Sequence, residues 1–161
     1  MTSIVIEGPN GSGKSTLTKK LQNDIGLIAF HATRPKDKKQ AIKFAIEQVS
    51  DISEGKSFIY DRSHAISRQV YQADALDEEE RRLYNAHIEY ISLTTPIIYC
   101  VGSGKRDTNK PHYDKQLIEE TTKNQDKIKA NYEELMQNIP HIRYDFKKDS
   151  YNNLLLKLTA L

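Results

Sequence analysis

The sequence predicts a parallel α/β sheet of five strands, in three layers with helices over both faces, and three observations point to it. Five short apolar runs alternate with segments whose apolar residues recur at helical spacing. The runs are rich in apolar residues and separated by helices, the pattern of a parallel sheet covered on both faces. The first run also passes through a glycine-rich segment straight into a helical stripe, the opening of an alternating strand–helix chain.

Element by element, Ser3–Glu7 reads as a buried strand, and Thr16–Leu21 as the first turns of a helix with Leu17 and Leu21 on one face. Leu27–His31 is a short second strand. Gln40–Glu54 carries Ile42, Ala45, Ile46 and Val49 as a helical stripe closed by Gly55. Ser57–Asp61 is a third strand that ends on an acid. Asp77 with Glu80 three residues on resembles a capping box for a helix reaching Ser92, with Leu83, Tyr84, Ile88 and Ile91 inward. Pro96 stops it before the fourth strand, Ile97–Val101. After an irregular stretch over residues 102–113, Asp114 is the expected cap of a long helix carrying Leu117, Ile118, Thr121, Ile128, Tyr132, Leu135 and Met136. His141–Phe146 is the fifth strand, and Leu154, Leu155 and Leu158 end the chain on a helix. Tyr71, Tyr84, Tyr90 and Tyr99 fall mostly at core-like positions.

A length of 161 residues suits one domain spanning 1–161 around one core. A hydrophobic share of 37% with 29% charged residues describes a polar globule, and no apolar run is long enough to span a bilayer. Because a core strand starts at once, no signal peptide is expected. Cys100 is the single cysteine, which excludes an internal disulfide and fits a reducing, cytoplasmic compartment. A net charge of +2 does not by itself argue for a nucleic-acid partner. The chain carries no internal repeat or low-complexity tract, and a homodimer is left open.

Chemistry enters with Gly8-Pro9-Asn10-Gly11-Ser12-Gly13-Lys14-Ser15, which spells G-x-x-x-x-G-K-[ST] between a strand and a helix. Glycines let backbone N–H groups wrap a phosphate chain, and the helix N-terminus adds partial positive charge. The expected ligand is a nucleoside triphosphate, ATP with Mg²⁺, held by Gly8, Asn10, Gly11, Ser12, Gly13, Lys14, Ser15 and Thr16. Lys14 reaches the outer phosphates, and the Ser15 hydroxyl ligates the metal. In parallel sheets ligands bind at the carboxyl ends of strands, which brings Asp61 and Arg62 beside this loop. Asp61 suits either support of Mg²⁺ through water or acceptance of a proton from an attacking hydroxyl. Arg62 suits bidentate phosphate binding, with Arg34, Arg68 and Tyr71 as further acceptor-side candidates. Lys105, Arg106 and Lys110 make the 102–113 loop a candidate lid, with Arg106 as its catalytic cation. The histidines are scattered, with no metal-ligand spacing; His64 is a rim residue beside the acceptor side.

These residues resemble the thymidylate kinase-like proteins of the P-loop nucleoside monophosphate kinase group. Ile4–Thr16 matches that family's opening strand, P-loop and helix. Thr33-Arg34-Pro35 is similar to its Arg-containing stretch after the second strand, and Tyr60-Asp61-Arg62-Ser63 to its Asp-Arg signature. Ile128–Leu135 and Ile142–Asp145 look like its long helix and last strand. The resemblance implies the three-layer P-loop kinase fold and phosphoryl transfer from ATP to a deoxynucleoside monophosphate, thymidylate-like first, with Arg62 on the acceptor phosphate. Departures cluster on the acceptor side: Asn10 stands where the family has an acid, Pro35 follows Arg34 without the family's Glu, and Val101 runs into Gly102-Ser103-Gly104 without an intervening helix.

Two other readings stand beside this one. Asp61-Arg62-Ser63 is also similar to the Glu-Arg-Ser of deoxynucleoside kinases, whose acceptor is a hydroxyl and needs a base. That reading extends to a modified nucleotide within DNA, although no basic-aromatic stripe marks a nucleic-acid track. A switch or transport ATPase shares the P-loop, but its Ser-Gly-Gly-Gln-like signature is absent, as is the Asn-Lys-x-Asp motif of GTPases.

Overall fold

The computed structural model describes residues 2–102 and 115–161, and within 115–122 the backbone alone. The expected lid with Lys105, Arg106 and Lys110, the Asp114 cap, and the side chains of Leu117, Ile118 and Thr121 lie outside the described residues.

Strand β1 (Ile4–Glu7) leads into helix α1 (Lys14–Ile25), then β2 (Ile28–His31), α2 (Lys38–Ser53) and β3 (Phe58–Asp61). There follow α3 (His64–Tyr71), a single 3-10 turn at Ala73–Ala75, α4 (Glu78–Thr94), β4 (Ile97–Cys100), α5 (Lys115–Met136), β5 (Ile142–Tyr144) and α6 (Tyr151–Thr159). The five strands form one parallel sheet in the order β2-β3-β1-β4-β5. The predicted α/β architecture is the observed one.

Strand pleating divides the interior into two layers of packing. Ile4 and Ile6 of β1, Ile59 of β3 and Ile98 and Cys100 of β4 pack with Leu17 and Leu21 of α1 and Leu154 and Leu158 of α6. On the opposite face Val5, Tyr60, Ile97 and Tyr99 pack with Ala45, Ile66, Val70, Tyr84, Ile88, Ile91, Tyr132 and Met136 of α2–α5. Each fully buried large aliphatic here contributes about 1.5–3 kcal/mol. The chain winds outward from β1 to β2 and back through β3, then crosses to β4 on the other side of β1. That reversal opens a crevice at the carboxyl end of β1, where Glu7 meets Gly8.

Several expectations are corrected locally. Helix α3 was not read from the sequence, yet Ser63 caps it by accepting from the Ile66 N–H at 3.4 Å. Its eight residues hold only Ala65, Ile66 and Val70 as a buried stripe, too short for periodicity to register. In α2 the innermost residues are Ala41, Ala45 and Gln48, and Ile46 is 49% exposed at the margin of the contact. Tyr90 faces outward on α4. Asp77 caps α4 through the Glu80 N–H at 2.7 Å as expected, but the Glu80 carboxylate turns inward instead of completing the box. It accepts from Arg68 Nε at 3.0 Å and from the Tyr84 hydroxyl at 2.7 Å. As an edge strand, β2 leaves Ile28 and Phe30 exposed, with the Phe30 ring set against Phe58 and Tyr60.

Candidate functional site

The loop from Gly8 to Gly13 has the shape its glycines allow. Gly8, Gly11 and Gly13 all adopt positive φ. At Gly8, whose φ is 147°, a Cβ would come within 2.3 Å of the Cys100 carbonyl oxygen, so only glycine lets the loop pass this close to β4. Gly13 caps α1 in the left-handed region, leaving the helix's first N–H groups without a side-chain cap. Lys14 folds back over the loop and donates from Nζ to the Pro9 carbonyl at 3.1 Å. The Ser12 hydroxyl is buried without a partner, and Ser15 and Thr16 stand on the first turn of α1.

Lys14 is only 8% exposed. Burial, and behind it the charge of Arg62, pushes its ammonium pKa down to about 8, against the pull of Glu7 and Asp61. Residues of the loop and of the first turns of α1, with Lys14, Ser15 and Thr16 among them, line a cleft of about 480 Å³ together with Tyr144 and Phe146.

Next to the loop lies a buried polar network centred on Glu7, which in the sequence is only the end of a strand. Glu7 is completely buried. Its Oε1 accepts from the Ser63 N–H at 2.6 Å and the Ser67 hydroxyl at 3.1 Å, and its Oε2 accepts from the Tyr132 hydroxyl at 2.8 Å. Burial pushes the Glu7 carboxyl up, while Arg62, the Tyr132 and Ser63 hydrogen bonds and Lys14 pull it down. Arg62 continues the network. Its Nη1 donates to the Tyr132 hydroxyl at 2.8 Å, its Nη2 to Asn10 Oδ1 at 3.2 Å, and its guanidinium lies 5.1 Å from the centre of the Tyr71 ring. Arg62 is the one non-glycine residue at positive φ among the described residues, 88°. Gln48 Nε2 donates to the Arg62 carbonyl at 3.1 Å and holds that turn.

The structure therefore gathers Lys14, Asn10, Arg62 and Tyr71 into one cluster. Arg68 is set apart: its Nε is bonded to the buried carboxylate of Glu80. Arg34 is exposed on the segment after β2. His64 is packed against Phe44 with ring centres 5.4 Å apart, and burial lowers its pKa.

Asp61 ends β3 beside His31, the last residue of β2, its direct partner in the parallel register. The His31 Nδ1–H donates to Asp61 Oδ2 at 2.8 Å, while Asp61 Oδ1 is buried without a partner. On sequence alone His31 is one of several scattered histidines. Its pairing depends on cross-strand register, for which the sequence holds no local signal.

No protein-family model and no curated protein matches the sequence. Among solved structures, the chain is similar to the YorR protein of Bacillus subtilis in complex with phosphorylated GDP, with a TM-score of 0.72 at 19% identity over 99% of this chain and 94% of that one. The fold is that of P-loop kinases. Deoxyadenosine kinase from M. mycoides with bound dATP superposes with a TM-score of 0.62 at 18% identity, covering 99% of this chain and 98% of the other. Thymidylate kinase from Ehrlichia chaffeensis gives 0.55 at 12% identity, over 99% and 97% of the two chains. Among the described residues no helix is long and apolar enough to cross a membrane.

Proposed function

We propose that this protein is a nucleotide kinase that transfers the γ-phosphoryl group of ATP to an acceptor built on a deoxynucleoside. The observation that carries the reading is the cradle at the carboxyl end of β1. There a glycine loop at positive φ, the buried Lys14 and the free first turn of α1 face a cleft, with Arg62 and Asp61 at the end of the neighbouring strand. Phosphoryl transfer asks little covalent chemistry of a protein; positioning and charge neutralisation supply most of the rate. The loop N–H groups bind the phosphate chain, and Lys14 leaves the Pro9 carbonyl for the outer phosphates. Arg62, pre-set by Tyr132 and Asn10, orients the acceptor.

Mg²⁺ fits this donor set. Ser15 stands on the first turn of α1 beside the cleft, and Asp61 Oδ1 is buried without a partner. Ser15 would hold the ion through its hydroxyl, and the ion would supply charge neutralisation at the transferring group. The unpartnered Asp61 Oδ1 is free to support the ion through water.

The sequence resemblance favours a monophosphate acceptor, thymidylate first, and Arg62 suits its phosphate. The His31–Asp61 pair favours a second reading, a deoxynucleoside hydroxyl, because only that acceptor has a proton to lose. The cytoplasm is the compartment we infer for either reaction. The deciding experiment incubates the purified protein with ATP and Mg²⁺ against deoxynucleoside monophosphates, deoxynucleosides and DNA, and follows which gains phosphate. Absence of transfer to every acceptor overturns the kinase reading.

A further inference from the structure

We infer that His31 is the proton acceptor for a hydroxyl substrate, with Asp61 as the residue that positions it. This inference rests on the kinase reading above and names its acceptor class, the primary alcohol of a deoxynucleoside rather than a phosphate oxygen.

Four observations support it. First, the register of β2 and β3 sets His31 directly opposite Asp61 at the carboxyl edge of the sheet, the edge that carries the phosphate loop. Second, the contact fixes the tautomer: with Nδ1–H donated to Asp61 Oδ2 at 2.8 Å, the neutral ring keeps its lone pair on Nε2. Third, the exposures differ in the useful sense. The His31 side chain is 67% exposed and open to a substrate, whereas that of Asp61 is 16% exposed. A largely buried carboxylate behind an accessible imidazole orients the ring and stabilises the imidazolium that forms when it takes a proton. Fourth, His31 and Asp61 lie on the same face of the sheet as Ile59 and α1, and the Asp61 charge acts on Lys14. Acceptor chemistry at His31 is thus on the sheet face that α1 covers, with one strand, β3, between it and the strand that leads into the phosphate loop.

The step balances without a further reactant. The acceptor oxygen forms a bond to the γ-phosphorus of the triphosphate as its proton passes to His31 Nε2. The bond between the γ-phosphorus and the bridging oxygen breaks, and its electron pair leaves on the diphosphate. The imidazolium then gives its proton to water. Asp61, on sequence a candidate either for supporting Mg²⁺ or for taking the proton itself, here holds the ring.

The test uses the full chain with ATP–Mg²⁺ and two acceptor sets, deoxynucleosides and deoxynucleoside monophosphates. The expected result is hydroxyl phosphorylation by the wild type and a loss of 10²–10⁴-fold in kcat for His31→Ala, with the ATP KM little changed. Added imidazole restores turnover of His31→Ala in proportion to its free base, a response that a merely structural residue does not give. His31→Asn keeps a donor toward Asp61 but has no ring nitrogen to accept the proton, and is expected to fold normally and remain as slow as the alanine variant. Asp61→Asn also loses hydroxyl transfer, without imidazole rescue. Full activity of His31→Ala, or loss of activity that imidazole does not restore, overturns the assignment. Wild-type transfer confined to monophosphates overturns it too, while leaving the kinase reading intact. No transfer to either set removes the kinase reading and this inference with it.

Discussion

Tyr132 and Glu7, separated by most of the chain, are joined by a 2.8 Å hydrogen bond from the phenol to Oε2, and the same phenol oxygen accepts from Arg62 at 2.8 Å. One hydroxyl on α5 thereby ties the residue preceding the phosphate loop to the arginine that follows β3. Tyr132 is fully buried, stacked on Tyr99 with ring centres 5.9 Å apart, so its ring is fixed before its hydroxyl acts.

Tyr132→Phe keeps the packing and removes only the oxygen. Glu7 Oε2 and Arg62 Nη1 then lose a partner in a buried setting, which costs about 1–3 kcal/mol. Urea unfolding is expected to show a lower midpoint with an unchanged slope. Because Arg62 becomes less constrained, acceptor kcat/KM falls more than that of ATP. Steady-state kinetics with each substrate varied in turn checks this.

Arg62 combines a positive φ of 88° with three side-chain contacts. A β-carbon in this region costs about 1–2 kcal/mol, and glycine avoids that cost. Arg62→Gly is therefore expected to be about 1 kcal/mol more stable than Arg62→Ala in denaturant titration. Both variants lose the guanidinium, so both are expected to raise the acceptor KM and lower kcat while leaving ATP affinity nearly intact. Equal stability of the two would show that the turn relaxes when the side chain goes.

Arg68 is the partner of Glu80, which is 2% exposed and also receives the Tyr84 hydroxyl. Removing the cation leaves a buried carboxylate with one neutral donor, and such losses cost about 3–5 kcal/mol. Arg68→Ala is expected to lower thermal stability strongly, whereas Arg68→Ala/Glu80→Ala recovers much of it. A raised acceptor KM in the double variant would add a substrate contact to this structural role; an unchanged one would make the role wholly structural.

The sheet was legible because β1, β3 and β4 are nearly continuous apolar runs, and because such runs separated by helices admit few arrangements. The phosphate loop was legible because its geometry demands glycine at fixed offsets; Gly8 beside the Cys100 carbonyl is a case where no other residue fits. Helix α3 was not, because eight residues with three inward side chains give too short a period. The roles of Glu7, Tyr132 and His31 were hidden for a different reason. Their partners are distant in sequence, and the meeting of His31 with Asp61 follows only once β2 is known to lie beside β3 in register. Phe146, read as the end of a strand, lies beyond β5 with its ring against Gly13, where a Cβ on the glycine would meet it at 2.8 Å.

Lys14 offers a test of the donor side that does not depend on the acceptor. Its pKa of about 8 means that near pH 8–9 much of the free protein carries a neutral amine at this position. A bound triphosphate brings several negative charges to that amine and raises its pKa, so binding takes up to one proton from the buffer. Calorimetric titration with ATP in two buffers of different ionisation enthalpy measures the uptake directly. It is expected near pH 8–9, to shrink toward pH 6.5 where the lysine is already charged, and to vanish in Lys14→Met. Folding obeys the same linkage. A lysine whose pKa is lower in the folded state adds stability above its unfolded pKa near 10.5 and loses it as pH falls through about 8. The wild type is therefore expected to gain on the order of 3 kcal/mol relative to Lys14→Met between pH 8 and 10.5. Triphosphate binding without proton uptake would mean that Lys14 is already charged in the free cradle.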